Sequence, residues 1–168
     1  MKFERRFTTA GQETYDQIPF RSASSEIRNP DGTIVFSAEY IEVPKQYSQV
    51  ATDILAQKYF RKAGVAARLK RVEENDVPSW LWRSVPDTKA LEKLPEDQRY
   101  GGETSAKQVF NRLVGTWTYW AWKAGYFSSE EDARTYYDEM SYMLACHCLL
   151  YTSPSPRDLS TSRMPSSA

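Results

Sequence analysis

The stretch from Gly101 to Ala133 constrains the fold more than any other part of the chain. It carries two helix starts, a stop between them and three of the five tryptophans. Ser105 stands three residues before Gln108, a capping box in which each side chain can bond the other's backbone N–H. The spacing predicts a helix over 105–123, with Ala106, Val109, Phe110, Leu113, Trp117 and Trp120 recurring on one face. Tyr119, Trp122 and Tyr126 form a second stripe, so this helix is apolar on more than one side and wants neighbours around it. Gly125 ends it. Ser128 with Glu131 repeats the capping pattern and starts a helix running to about 145. Its buried stripe is read as Ala133, Tyr136, Tyr137, Met140, Met143 and Leu144.

Upstream, Asn29-Pro30-Asp31-Gly32 is a turn, because Pro presets φ and Gly tolerates φ > 0. It lies between runs 25–28 and 33–43, which predicts a β-hairpin with one face on a larger body. Pro44 closes the second strand and a helix follows over 48–63. In it Val50, Ile54 and Phe60 share a face, Ala51, Leu55 and Tyr59 lie beside them, and Gly64 is the cap. Pro78, Pro86 and Pro95 divide 65–100 into short elements, one of them a helix near 88–94. Residues 1–24 are polar and irregular. The expected class is α+β, mostly α: an N-terminal β-hairpin followed by three main helices.

Composition narrows the function classes. Twenty-two basic and 22 acidic side chains cancel, which argues against bulk electrostatic binding to nucleic acid. No run approaches the roughly 18 apolar residues of a membrane span. The N-terminus has no apolar segment of the kind a secretory signal requires, so a cytoplasmic location is expected. From Cys148 onward the chain holds six Ser, three Pro and two Thr with no apolar period, the composition of a disordered tail. Residues 149–158 resemble the translation of a sequencing-adapter oligonucleotide. A domain over 1–145 and a disordered, non-native tail over 146–168 are therefore expected.

Five segments, in order, resemble the N-terminal domain of class II, adenosylcobalamin-dependent ribonucleotide reductase. They are Ser25-Glu26-Ile27-Arg28-Asn29-Pro30-Asp31-Gly32, Ile41-Glu42-Val43-Pro44, the run 48–65, Val77-Pro78 with Trp80-Leu81-Trp82-Arg83-Ser84-Val85-Pro86, and the run 101–133. The resemblance covers residues 1 to about 145. It implies a cytoplasmic enzyme that reduces ribonucleotides to 2'-deoxyribonucleotides for DNA synthesis, with adenosylcobalamin (vitamin B12) as cofactor. In the family, Co–C homolysis leads to a thiyl radical on a barrel cysteine, and a cysteine pair re-reduced through C-terminal thiols supplies the electrons. The partners implied are the ribonucleotide substrate and nucleotide effectors, bound through a barrel that should follow residue 145, and a thioredoxin-type reductant. A homodimer of the full-length enzyme is also implied. That chemistry needs at least three thiols, and no cysteine precedes Cys146. No catalytic residue is assigned, the cobalamin contacts stay unknown, and the fragment alone is expected to be inactive.

The remaining candidate groups carry plain readings beside the sharp ones. Cys146-His147-Cys148 suggests a metal site, but a structural zinc wants four ligands and the chain has no other Cys or His. Lys58, Arg61, Lys62, Arg68, Lys70 and Arg71 form a basic patch that is either a phosphate contact or a solvated or docked surface. Trp80, Trp82, Trp117, Trp120 and Trp122 are read as core, against the alternative of a stacking surface. Glu130, Glu131 and Asp132 complement a helix dipole. The competing function is a stand-alone helical binding module whose aromatic surface meets a partner protein or oligonucleotide.

Overall fold

The expected turn forms in the computed structural model, which describes residues 1–147. Gly32 sits at φ +85, and Asp31 Oδ1 accepts from the Thr33 N–H at 2.9 Å and its hydroxyl at 2.6 Å. The strands it joins are β1 (Phe20–Arg28) and β2 (Ile34–Pro44), antiparallel with Phe20 opposite Pro44. β1 thus begins inside the region read as irregular; its own sequence hardly alternates, and pairing with 41–44 makes it a strand. The imperfect alternation of β2 has a cause. Ala23 pairs with Ile41 and Ser25 with Ala38, so Glu39 and Tyr40 stand opposite Ser24 alone. This bulge, with Tyr40 at φ +57, shifts the inward parity from Phe36 and Ala38 to Ile41 and Val43.

Ser48 caps the next helix as read, accepting from the Ala51 N–H at 3.2 Å. The helix is shorter than 48–63, however: α1 (Gln49–Ile54) widens into a π turn over Leu55–Tyr59 and ends. Phe60 leaves it in extended conformation to bury its ring, and the Arg61 N–H is taken by Glu103 Oε2 at 2.9 Å. Gly64, at φ +76, turns the chain into β3 (Val65–Ala66) rather than capping a helix. The buried face is also different: Thr52, Leu55, Ala56 and Phe60 are covered, whereas Val50, Ile54 and Tyr59 are exposed. Short elements follow: β4 (Leu69–Arg71), β5 (Ser84–Pro86), α2 (Thr88–Leu91) and β6 (Tyr100–Gly101). β4 pairs with β5 and β3 with β6, both antiparallel.

α3 (Ala106–Lys123) and α4 (Glu130–Ala145) are the two long helices. The α3 cap forms as expected: Gln108 Oε1 accepts from the Ser105 and Thr104 N–H groups at 3.0 and 2.8 Å, and Lys107 N–H bonds the Ser105 hydroxyl at 3.2 Å. The α4 cap lies one residue later than read. Ser129 Oγ accepts from the Asp132 N–H at 3.2 Å, while Ser128 is occupied by the chain's first residue. The buried stripe of α3 is Ala106, Val109, Phe110, Val114 and Thr118; Trp117 is half-buried and Trp120 is 63% exposed. The reason is the packing of α4 along α3, where the Tyr137 hydroxyl reaches Asn111 and its ring lies beside Gly115, so contact with α4 rather than the apolar period alone selects the covered face.

One face of the hairpin, α1 and the first half of α3 enclose the core, built on Ile18, Ile41, Val43, Tyr47, Leu55, Phe60 and Phe110. The C-terminal carbonyls of α4 are satisfied from the hairpin's end, Tyr47 Oη donating to Leu144 O at 3.1 Å and Gln46 Nε2 to Ala145 O at 3.3 Å. The Tyr47 and His147 rings lie 3.7 Å apart between centroids, and burial lowers the His147 pKa. The architecture is the expected α+β one, a hairpin followed by helices. The tail from residue 148, including Cys148, lies outside the described residues.

Candidate functional site

Residues 1–8 carry no regular structure, yet they bind along α4. The N-terminal ammonium donates to Tyr126 O and to Ser128 Oγ, and the Phe3 N–H donates to Asp132 Oδ1 at 2.8 Å. The Phe3 ring meets Phe127 and Tyr136 at 5.7 and 5.2 Å, and Phe7 stacks on Tyr142 at 5.3 Å. Two carboxylates of α4, absent from the expected stripe, are buried under this strap. Asp138 Oδ2 takes Arg5 Nη1 at 2.7 Å, and Glu139 accepts from the Phe7 and Thr8 N–H groups and from the Thr8 hydroxyl. Burial pushes the Glu139 pKa up, but those donors outweigh it and hold the carboxyl below its ordinary value.

Beside the strap lies a polar cavity of about 240 Å³. Glu13, Thr14 and Tyr15 enter from a 3₁₀ turn over Thr14–Gln17, and Arg71 and Trp80 from the irregular middle of the chain. Asn111 comes from α3, and Arg134, Tyr137, Asp138 and Ser141 from α4. Asn111 Oδ1 accepts from both the Tyr15 and the Tyr137 hydroxyls, at 2.9 and 3.0 Å. Burial raises both phenol pKa values, so the pair stay protonated donors. The Arg134 guanidinium lies over Trp80 and Tyr137 at 5.2 and 5.6 Å from the ring centroids. Its Nε is 3.1 Å from Asp138 and its Nη2 4.0 Å from Glu13. Such a site can bind and orient; it offers no nucleophile–base pair.

The residues singled out from the sequence are scattered. Of the basic six, Arg71 lines the cavity, whereas the Lys62 ammonium lies 3.6 Å from the centroid of the Phe36 ring. The indole N–H groups of Trp80, Trp82 and Trp122 are spent on Glu130 Oε1, Val77 O and Asp76 O. Glu131 is 3.3 Å from Arg5, so the first-turn acids of α4 hold the strap as well as complementing the dipole. Among the described residues no three of His, Cys, Asp and Glu converge as a metal site, and no helix is long and apolar enough to cross a membrane. What the sequence reading missed on α4 had a signal: Arg134, Asp138 and Ser141 recur at helical spacing, a polar stripe in the middle of the helix.

Comparison with known proteins assigns the chain. A family model for class II vitamin B12-dependent ribonucleotide reductase matches residues 21–147. Vitamin B12-dependent ribonucleotide reductases of Bradyrhizobium diazoefficiens and Agrobacterium fabrum are each 64% identical to it over 154 residues, 92% of this chain. One from Streptomyces clavuligerus is 26% identical over 155 residues. The chain spans about 12% of the length of the first two relatives. With its fold of a strand hairpin followed by helices, this chain belongs to the class II vitamin B12-dependent ribonucleotide reductase family, of which it holds a truncated N-terminal domain.

Proposed function

We propose that this domain serves a reductase that converts ribonucleotides to 2'-deoxyribonucleotides by a cobalamin-initiated cysteine thiyl radical, and that it does so as a scaffold. The observation that carries this reading is the family match over a region whose described residues hold one cysteine, Cys146, at the C-terminal end of α4. Thiol chemistry needs more sulfur than that. The cavities offer cobalamin little room: two among the described residues, of about 240 and 310 Å³, sit below or at the foot of the ~300–1,000 Å³ that a drug-sized ligand occupies, and cobalamin is larger than such ligands. Substrate, effectors and a thioredoxin-type reductant would then act through the remainder of the enzyme, in the cytoplasm, with this domain seated against it. The composition break at Cys148 supports taking residues from 148 onward as outside the domain, whereas residues 146 and 147, also counted with the tail in the sequence reading, lie within the family match and His147 meets Tyr47.

The test is an assay of the purified chain for cobalamin-dependent reduction of ribonucleotides, with and without thioredoxin. No turnover is expected, and sustained product formation would overturn the scaffold reading. Genomic DNA read past the codon for Ala145 should continue in frame into cysteine-bearing sequence; a native stop after Ala168 would count against both the tail and the scaffold.

A further inference from the structure

The cavity between the strap side of α4 and Trp80 has one charge without a counter-charge. Asp138 has Arg5 at 2.7 Å and Arg134 at 3.1 Å, and Glu13 has Arg134 at 4.0 Å. Among the described residues no carboxylate lies within ion-pair distance of Arg71; its partners are the carbonyls of Ser79, at 2.9 Å, and of Trp80. Both bonds come from Nη1, which has only two protons to give. The guanidinium, on an exposed side chain, is therefore held in place by the loop it supports, and its Nε–Nη2 edge keeps three donors with no acceptor among the described residues. That edge matches the two oxygens of a carboxylate or phosphate, a bidentate geometry that a lysine cannot supply.

Other features of the cavity suit the same ligand. Tyr15 and Tyr137 both aim their hydroxyl protons at Asn111 Oδ1, which leaves the amide's NH2 as donor. One buried hydroxyl of a lining residue, Thr14, has no hydrogen-bond partner in the protein. The Ser141 hydroxyl is directed to the neighbouring Tyr15 phenol, where it opposes the rise of that group's pKa. Trp80 and Tyr137, with rings 5.8 Å apart, supply an aromatic wall. We propose that this pocket binds a small molecule bearing an oxyanion, with the charged group on the Nε–Nη2 edge of Arg71 and its body beside Trp80 and Tyr137. At about 240 Å³ the space suits a compact anion rather than an entire nucleotide triphosphate. This inference stands apart from the scaffold reading, since it needs no reductase activity.

The experiment is a titration of the full chain with inorganic phosphate and, separately, with malonate, following the Trp80 Nε1–H resonance. A saturable shift with either supports the site, and the tighter of the two identifies phosphate or carboxylate as its group. Arg71→Gln should weaken binding roughly tenfold or more, the scale of a lost charge-assisted pair. Arg71→Lys keeps the charge and can still cover a loop carbonyl, and should also bind several-fold more weakly. Lys70→Gln, an exposed neighbour, should leave the affinity unchanged. Thermal melts establish that each variant is folded. No saturable shift with either anion, equal affinity in Arg71→Lys and the parent, or equal losses in Lys70→Gln and Arg71→Gln would each overturn the proposal.

Discussion

Gly102 shows how a single residue can be demanded by tertiary contact and by nothing local. Its φ is ordinary, yet a Cβ there would lie 2.9 Å from Lys62 O and 3.1 Å from Arg61 O, both backbone atoms that cannot swing away. The close approach exists because Glu103 ties the two segments together. Its N–H donates to Arg61 O at 2.8 Å, its carboxylate accepts the Arg61 N–H, and Arg112 clamps both its oxygens at 3.1 Å. Gly102→Ala is therefore expected to cost about 1–3 kcal/mol in urea unfolding. Gly101→Ala, with open space around the new methyl, should change stability by less than about 0.5 kcal/mol. Equal effects of the two would refute the close-approach account. In the sequence the two glycines look alike, because the carbonyls that distinguish them come from residues about 40 positions earlier.

At the scale of elements, caps and periods were legible and registers were not. α3 starts and stops where Ser105, Gln108 and Gly125 place it, since capping chemistry is local. The α4 cap, though, has two adjacent serines, and Met1 decides between them by engaging Ser128. Ser129→Ala should destabilise the chain by about 1 kcal/mol, the cost of a lost N-cap, and Ser128→Ala by less than half of that in chemical denaturation. The reverse order would restore the expected register. The α3 stripe turned because burial there is set by what α4 can admit. Thr118 is fully buried and bonds its own helix at Val114 O, 2.7 Å away, while Trp120, a larger apolar residue, faces out. Hydrophobicity ranked those positions; packing against α4 reversed the rank.

For the molecule as a whole, the strap over residues 1–8 is the feature that couples distant parts of the chain, and its strength depends on pH. Glu139 and Asp132 both receive donors from it, and both carboxyls lie below their ordinary values: for Glu139 the Thr8 and Phe7 bonds outweigh burial, and for Asp132 the Phe3 N–H and the Ser129 hydroxyl act together. A depressed carboxyl contributes stability that is complete above its unfolded value, 4.5 for Glu139 and 3.8 for Asp132, and is lost as pH falls through the folded value. Amide exchange at Phe3, Phe7 and Thr8 should therefore accelerate relative to the α3 core on acidification below about pH 4.5. Glu139→Gln should cost about 2 kcal/mol at neutral pH and flatten that dependence at Phe7 and Thr8. Exchange at those amides that keeps pace with the core at every pH would refute the strap as a separable, acid-labile unit. The sequence by itself determined the α+β order, the hairpin turn and the α3 cap, because each rests on residues within a few positions of one another, and it determined the family through five segments in order. Only the tertiary structure decided which carboxylates of α4 are buried, where α1 ends and which face of α3 is covered. It also made Arg71 a charge without a counter-charge. Those outcomes depend on partners that the fold brings together, several of them from 40 or more residues away, and no local pattern encodes which partner will arrive.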